Sequence, residues 1–151
     1  MTTIVFPGQG SQFVGMAKDF HDNFNIAKQS FEEIEDYTQI NIRKIIFNDL
    51  ENQLNLTQFT QICIFAASYS IFKSFLSKSN LNLKNINLMM GHSLGEYTAL
   101  ACSNKISLKE CSNVLKHRGE LMNNAIEPNA TGMVALIGLS NDDIYQLIKK
   151  N

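Results

Sequence analysis

The stretch Leu88-Met89-Met90-Gly91-His92-Ser93-Leu94-Gly95-Glu96-Tyr97-Thr98-Ala99-Leu100 constrains the fold more than any other part of the chain. A short apolar run enters a Gly-x-Ser-x-Gly sequence, and a run of helical character leaves it. That order is the strand, sharp turn and helix of a nucleophile elbow. Gly91 and Gly95 flank the turn, where a Cβ would crowd the approach of strand to helix. Ser93 is thereby lifted out of the sheet edge with its hydroxyl exposed. It also sits at the start of a helix, where unpaired N–H groups and the helix dipole favour a developing negative charge. A serine that merely caps a helix would share the five-residue pattern; the flanking apolar strand and helix favour the nucleophile.

A chain of 151 residues, 44% of them hydrophobic, is one domain's worth and can bury a normal core. The formal net charge of −1 leaves no electrostatic footprint for nucleic acid or an anionic membrane. Cys63, Cys102 and Cys111 fall on apolar faces of predicted helices, as small buried hydrophobes of a reducing, cytoplasmic setting do. No Cys/His spacing suggests a metal site, and nothing calls for a cofactor. Met1 to Phe6 lacks the basic and long apolar regions of a signal peptide, and no 18-residue apolar run is expected to span a membrane.

In chain order, Thr3 to Phe6 reads as a buried strand stopped by Pro7. The glycine-punctuated loop Pro7-Gly8-Gln9-Gly10-Ser11-Gln12 follows, able to bring backbone N–H groups close to a ligand. Phe13 stands where a dinucleotide fingerprint needs its third glycine. Helical pattern then breaks near Gly15 and around His21 to Asn25, and resumes from Asn25 to Tyr37. Ile42, Ile45 and Ile46 make a short amphipathic turn, and Thr57 to Ser77 is the longest helical pattern. Gln61 lies near its start, either satisfying local backbone groups or facing a substrate. After the strand Leu88 to Met90, the elbow helix runs to about Cys102, with Asn104 at its C′ position. Ser107-Leu108-Lys109-Glu110 is a capping box for the next helix. Thr131 to Leu139 reads as a strand, and Ser140 to Asp143 cap a helix from Ile144 to Lys150.

On the helix after the capping box, Cys111, Leu115, Arg118 and Met122 share one face, which Val114, Leu121 and Ala125 widen. An arginine amid apolar residues needs an anionic partner. That partner is either a structural carboxylate or a substrate carboxylate gripped by the guanidinium fork, unless the side chain snorkels to solvent. Ser93 needs a base. His92 adjoins it but points away and packs beneath the elbow; His117 lies at the edge of the apolar stripe; His21 is far upstream. The N–H of Leu94 is one oxyanion donor, and the Gly8-Gln9-Gly10 loop is the candidate for the second.

Phe6-Pro7-Gly8-Gln9-Gly10-Ser11-Gln12, Thr60-Gln61, Gly91 to Tyr97 and His117-Arg118-Gly119-Glu120-Leu121-Met122 stand in an order that resembles malonyl-CoA:acyl-carrier-protein transacylases of bacterial fatty acid synthesis. The resemblance implies an α/β fold. Residues 1–128 would be the N-terminal part of a hydrolase-like large subdomain with parallel strands and the elbow. Residues 129–151 would supply the first strand and helix of a ferredoxin-like small subdomain. It implies Ser93 as nucleophile, the backbone N–H groups of Gln9 and Leu94 as oxyanion hole, Arg118 as the malonyl carboxylate site, and Gln61 as pocket lining. Malonyl-CoA and the phosphopantetheine arm of acyl carrier protein would be the substrates. The family's catalytic histidine lies beyond the small subdomain, so the chain is expected to be truncated and inactive alone, with a separately encoded C-terminal portion as a further partner. A serine esterase of the α/β-hydrolase type, and a non-catalytic fragment that binds carrier protein, stay open as alternatives.

Overall fold

The computed structural model describes residues 1–125, 127 and 136–149. Two strands, β1 (Thr3–Phe6) and β2 (Leu88–Gly91), pair in parallel, with Thr3 opposite Leu88 and Phe6 opposite Gly91. Parallel pairing requires a long crossover, here the helical segment between them. Alternation along each strand sorts the side chains. Ile4, Phe6 and Met89 turn inward, and the Phe6 ring meets the edge of Phe72 at a centroid distance of 5.7 Å. Val5, Leu88 and Met90 face outward and are exposed. The strand expected to be buried is therefore buried on one face only, because nothing among the described residues covers the other.

The helices are α1 (Lys18–Asn23), α2 (Asn25–Thr38), α3 (Ile42–Phe47), α4 (Thr57–Lys78), α5 (Leu94–Cys102), α6 (Leu108–Asn123) and α7 (Asn141–Lys149). The core is built around α4, whose residues Thr60 to Ala67 are all buried, with α2, α5 and α6 packed against it. By length and composition α4 could cross a membrane, contrary to the expectation that no segment could. However, 61% of its most apolar window is buried inside the molecule, as in a core helix.

Local signals were mostly accurate. Lys105 N–H bonds to Leu100 C=O at 2.9 Å and Asn104 N–H to Ala101 C=O at 3.1 Å, with Asn104 at φ 59°, closing α5 in a Schellman motif. The Ser107–Glu110 capping box is present in both directions. The break expected around His21 to Asn25 falls at Phe24, which is extended: α1 runs through His21 to Asn23 and α2 starts at Asn25. The predicted strand Thr131 to Leu139 lies largely outside the described residues, and its described part, Leu136 to Leu139, is irregular. Helix α7 starts at Asn141 rather than Ile144, capped by Ser140, whose Oγ accepts from Asp143 N–H.

Candidate active site

The elbow is built as its glycines require. A Cβ on Gly91 would lie 2.2 Å from Gly95 C=O, and one on Gly95 would lie 2.5 Å from Phe6 C=O, so only hydrogen fits at either place. His92 N–H bonds to Phe6 C=O at 3.1 Å and extends the ladder into the turn. Ser93 then takes φ 54° and ψ −112°, a conformation an L-residue adopts only when its surroundings force it. Gly95 N–H to His92 C=O at 2.9 Å and Glu96 N–H to Ser93 C=O at 3.1 Å close the turn into α5. Ser93 is exposed, and the Leu94 N–H makes no hydrogen bond among the described residues.

The first loop lies beside this turn. Gly8 packs so closely on His92 that a Cβ there would meet His92 C=O at 2.7 Å. The Gln9 N–H next to it is likewise unengaged. Gln9 Nε2 donates to Thr57 Oγ1 at 3.3 Å and Gln12 Nε2 to Asn55 Oδ1 at 2.9 Å, tying the loop to the start of α4.

Arg118 is brought to the serine from α6. Its Nη2 donates to Ser93 Oγ at 3.1 Å, and its Nη1 donates to Gln61 Oε1. Its guanidinium lies 5.8 Å from the centre of the Tyr97 ring. No carboxylate lies within ion-pair distance of it among the described residues. The structural salt bridge that the sequence left open is thus not made. Gln61 is fully buried, so it does not line open space; its Nε2 donates to Met122 Sδ at 3.2 Å.

The expected apolar stripe is rotated. The face of α6 that is buried carries Cys111, Ser112, Leu115 and Gly119, while Val114, Leu121, Met122 and Ala125 are exposed. Gly119 packs on the carbonyls of Thr57 and Gln58, where a Cβ would sit at 3.0 Å from both oxygens, and this close approach sets the helix's rotation. Arg118 consequently stands at the boundary, beside a groove of about 560 Å³ bounded by Tyr97, Val114, Leu121 and Met122. Beneath it, Cys111 Sγ donates to Tyr97 C=O at 3.4 Å, and burial pushes that thiol up to about 12.

None of the three histidines bonds Ser93. His21 contacts the Phe31 and Phe47 rings and Asp22; His117 is exposed and paired with Glu120 at 3.2 Å. His92 is exposed against Gly8, on the first loop rather than beneath the elbow.

Among the described residues, a serine on a forced turn thus lies beside two amide N–H groups without partners and a guanidinium without a carboxylate. A family model described as an acyl transferase domain matches residues 3–150. The chain belongs to this acyl transferase family. A malonyl CoA-acyl carrier protein transacylase of Bacillus subtilis (strain 168) is 32% identical over 146 residues, covering 97% of this chain and 45% of the relative. The solved transacylase of that name from Clostridium perfringens is 34% identical with a TM-score of 0.84, covering 99% of this chain and 46% of that one. A malonyl-transacylase solved in complex with a holo type II PKS acyl-carrier protein gives 37% identity and a TM-score of 0.85, covering 99% and 47%. The acyltransferase chain therefore spans about half the length of these relatives.

Two participants escaped the sequence reading. Tyr97 follows Ser93 by four residues and Met122 follows Arg118 by four, so each shares a helix face with its site residue. That spacing was the available signal. The contact of Met122 with Gln61 depends on the α4–α6 packing and left no trace in the local pattern.

Proposed function

We propose that this chain carries the nucleophile and acyl-recognition half of a malonyl-CoA:acyl-carrier-protein transacylase, working through an acyl-serine intermediate in cytoplasmic fatty acid synthesis. The observation that carries the reading is Arg118: a guanidinium bonded to Ser93 Oγ, backed by Gln61, with no carboxylate partner among the described residues. Ser93 Oγ attacks the thioester carbonyl of malonyl-CoA, and the oxyanion is received by the Gln9 and Leu94 N–H groups. The C–S bond breaks and the coenzyme A thiolate leaves with the proton taken from Ser93. The distal carboxylate of the malonyl group accepts from the Arg118 fork, a charge-assisted contact that a neutral acyl group cannot make. The phosphopantetheine thiol of acyl carrier protein then attacks the acyl-serine and restores the hydroxyl.

On this reading residues 1–128 are the N-terminal part of the hydrolase-like large subdomain, and residues 129–151 begin the ferredoxin-like small one. The base is the family's histidine beyond the small subdomain, supplied by a C-terminal portion. That agrees with His21, His92 and His117 all making contacts away from Ser93. The 151-residue chain alone is slowly acylated at Ser93 and does not turn over.

Intact-mass measurement of the chain with malonyl-CoA and acetyl-CoA tests this. Malonyl addition is expected at Ser93 and absent in Ser93→Ala. Arg118→Ala should slow malonyl addition about 10- to 100-fold and acetyl addition far less, from the ~1.5–3 kcal/mol of a charged hydrogen bond. Equal losses refute the carboxylate role. Repeated transfer to holo-carrier protein by the pure chain refutes the external base, and preference for neutral esters points to the esterase instead.

A further inference from the structure

Gln61 is wedged between α4 and α6 with a different partner at each end of its amide. Its Oε1 accepts from Arg118 Nη1, and its Nε2 donates to Met122 Sδ at 3.2 Å. The side chain is fully buried, and these are its only hydrogen bonds among the described residues. A primary amide is nearly symmetric in shape, so packing does not choose which end faces Arg118. Hydrogen bonding does. Oxygen toward the guanidinium is attractive, whereas nitrogen there would set N–H against N–H. A thioether sulfur accepts and cannot donate, so Met122 rewards only the orientation that leaves Oε1 for Arg118.

We propose that Met122 is a positioning residue for acyl selectivity: through Gln61 it fixes the Arg118 fork beside Ser93 Oγ. The proposal rests on the reading in which Arg118 receives the substrate carboxylate. Arg118 and Met122 are one helical turn apart on α6, and Gln61 from α4 closes the path between them. Replacing Met122 by leucine keeps the apolar volume and removes the acceptor. The buried Gln61 N–H group then has no partner, nothing on that side holds the amide in place, and its Oε1 contact to Arg118 loosens. Met122 is 48% exposed, so shortening it opens no enclosed cavity.

The test compares wild type, Met122→Leu, Met122→Ala and Arg118→Ala. The readout is the ratio of malonyl-CoA to acetyl-CoA in Ser93 acylation rate and in equilibrium binding. Loss of one neutral hydrogen bond predicts a malonyl-to-acetyl ratio about five- to tenfold lower in both Met122 variants, which stay folded with thermal midpoints lowered by a few degrees because the Gln61 N–H is left without a partner. Amide NMR should show the Gln61 side-chain NH₂ pair shifted in both. A ratio equal to wild type in the Met122 variants, or equal losses for both acyl groups, overturns the positioning role. If the wild type does not discriminate, or Arg118→Ala leaves its ratio unchanged, the Arg118 reading itself fails; a collapsed ratio in Arg118→Ala with a normal one in Met122→Leu removes Met122 alone.

Discussion

Replacing Ser93 by glycine should make the protein more stable than replacing it by alanine. At φ 54° and ψ −112° the residue sits where a Cβ is strained, at about 1–3 kcal/mol. Alanine keeps that strain and glycine removes it. Glycine loses more backbone freedom on folding, which returns about 0.5–1 kcal/mol. Neither variant has the hydroxyl, so the Arg118 contact is missing from both, and Ser93 is exposed, so no cavity separates them. The difference is therefore about 0.5–2 kcal/mol in favour of glycine, or a thermal midpoint about 2–6 °C higher for a chain of this size. Urea titration with matched m-values measures it directly. Ser93→Ala equal to or more stable than Ser93→Gly would show that the turn is not strained, and the argument that function imposes it would collapse.

Gly95→Ala should destabilise by about 3 kcal/mol or fail to fold, because its Cβ would meet the backbone oxygens of Phe6 and Pro7 at 2.5 and 2.8 Å; denaturant unfolding checks it. Burial raises the thiols of Cys63, Cys102 and Cys111, so the folded protein should resist a thiolate-directed disulfide reagent at pH 8 and react at all three sites once unfolded. The Ser107 hydroxyl and N–H hold the Glu110 carboxylate below the usual range. The capping box therefore persists at neutral pH and is lost as pH falls through that depressed value, read as faster hydrogen exchange, relative to Glu110→Gln, in the first turn of α6.

What the sequence revealed was whatever is decided within a few residues. The elbow, the Asn104 terminator and the Ser107–Glu110 box all depend on local backbone geometry, and all three are in place. What it concealed depends on how elements meet. The apolar stripe read on α6 included Arg118, but the carbonyls of Thr57 and Gln58 select Gly119 for the tightest contact, and the helix turns accordingly. Hydrophobicity along Thr3 to Phe6 predicts burial without saying on how many faces; Val5 is exposed because no element among the described residues covers that face. Gln61 was read as lining a pocket, and only the packing of α4 on α6 shows it buried behind the arginine.

Packing alone does not account for Arg118. Glu120, two residues along the same helix, is bonded to His117, and Glu96, in the first turn of α5, makes no ion pair with the guanidinium. Residues two apart on a helix do not face each other, so Glu120 is turned away from the guanidinium. Instead the cation is held from behind by a neutral amide, which fixes its direction without neutralising it, and its open side faces Ser93 Oγ. A fixed, unneutralised charge and a strained serine each act against stability, and they lie in direct contact. On the proposed function one requirement accounts for both: an acyl group attached at Ser93 whose own carboxylate completes the ion pair.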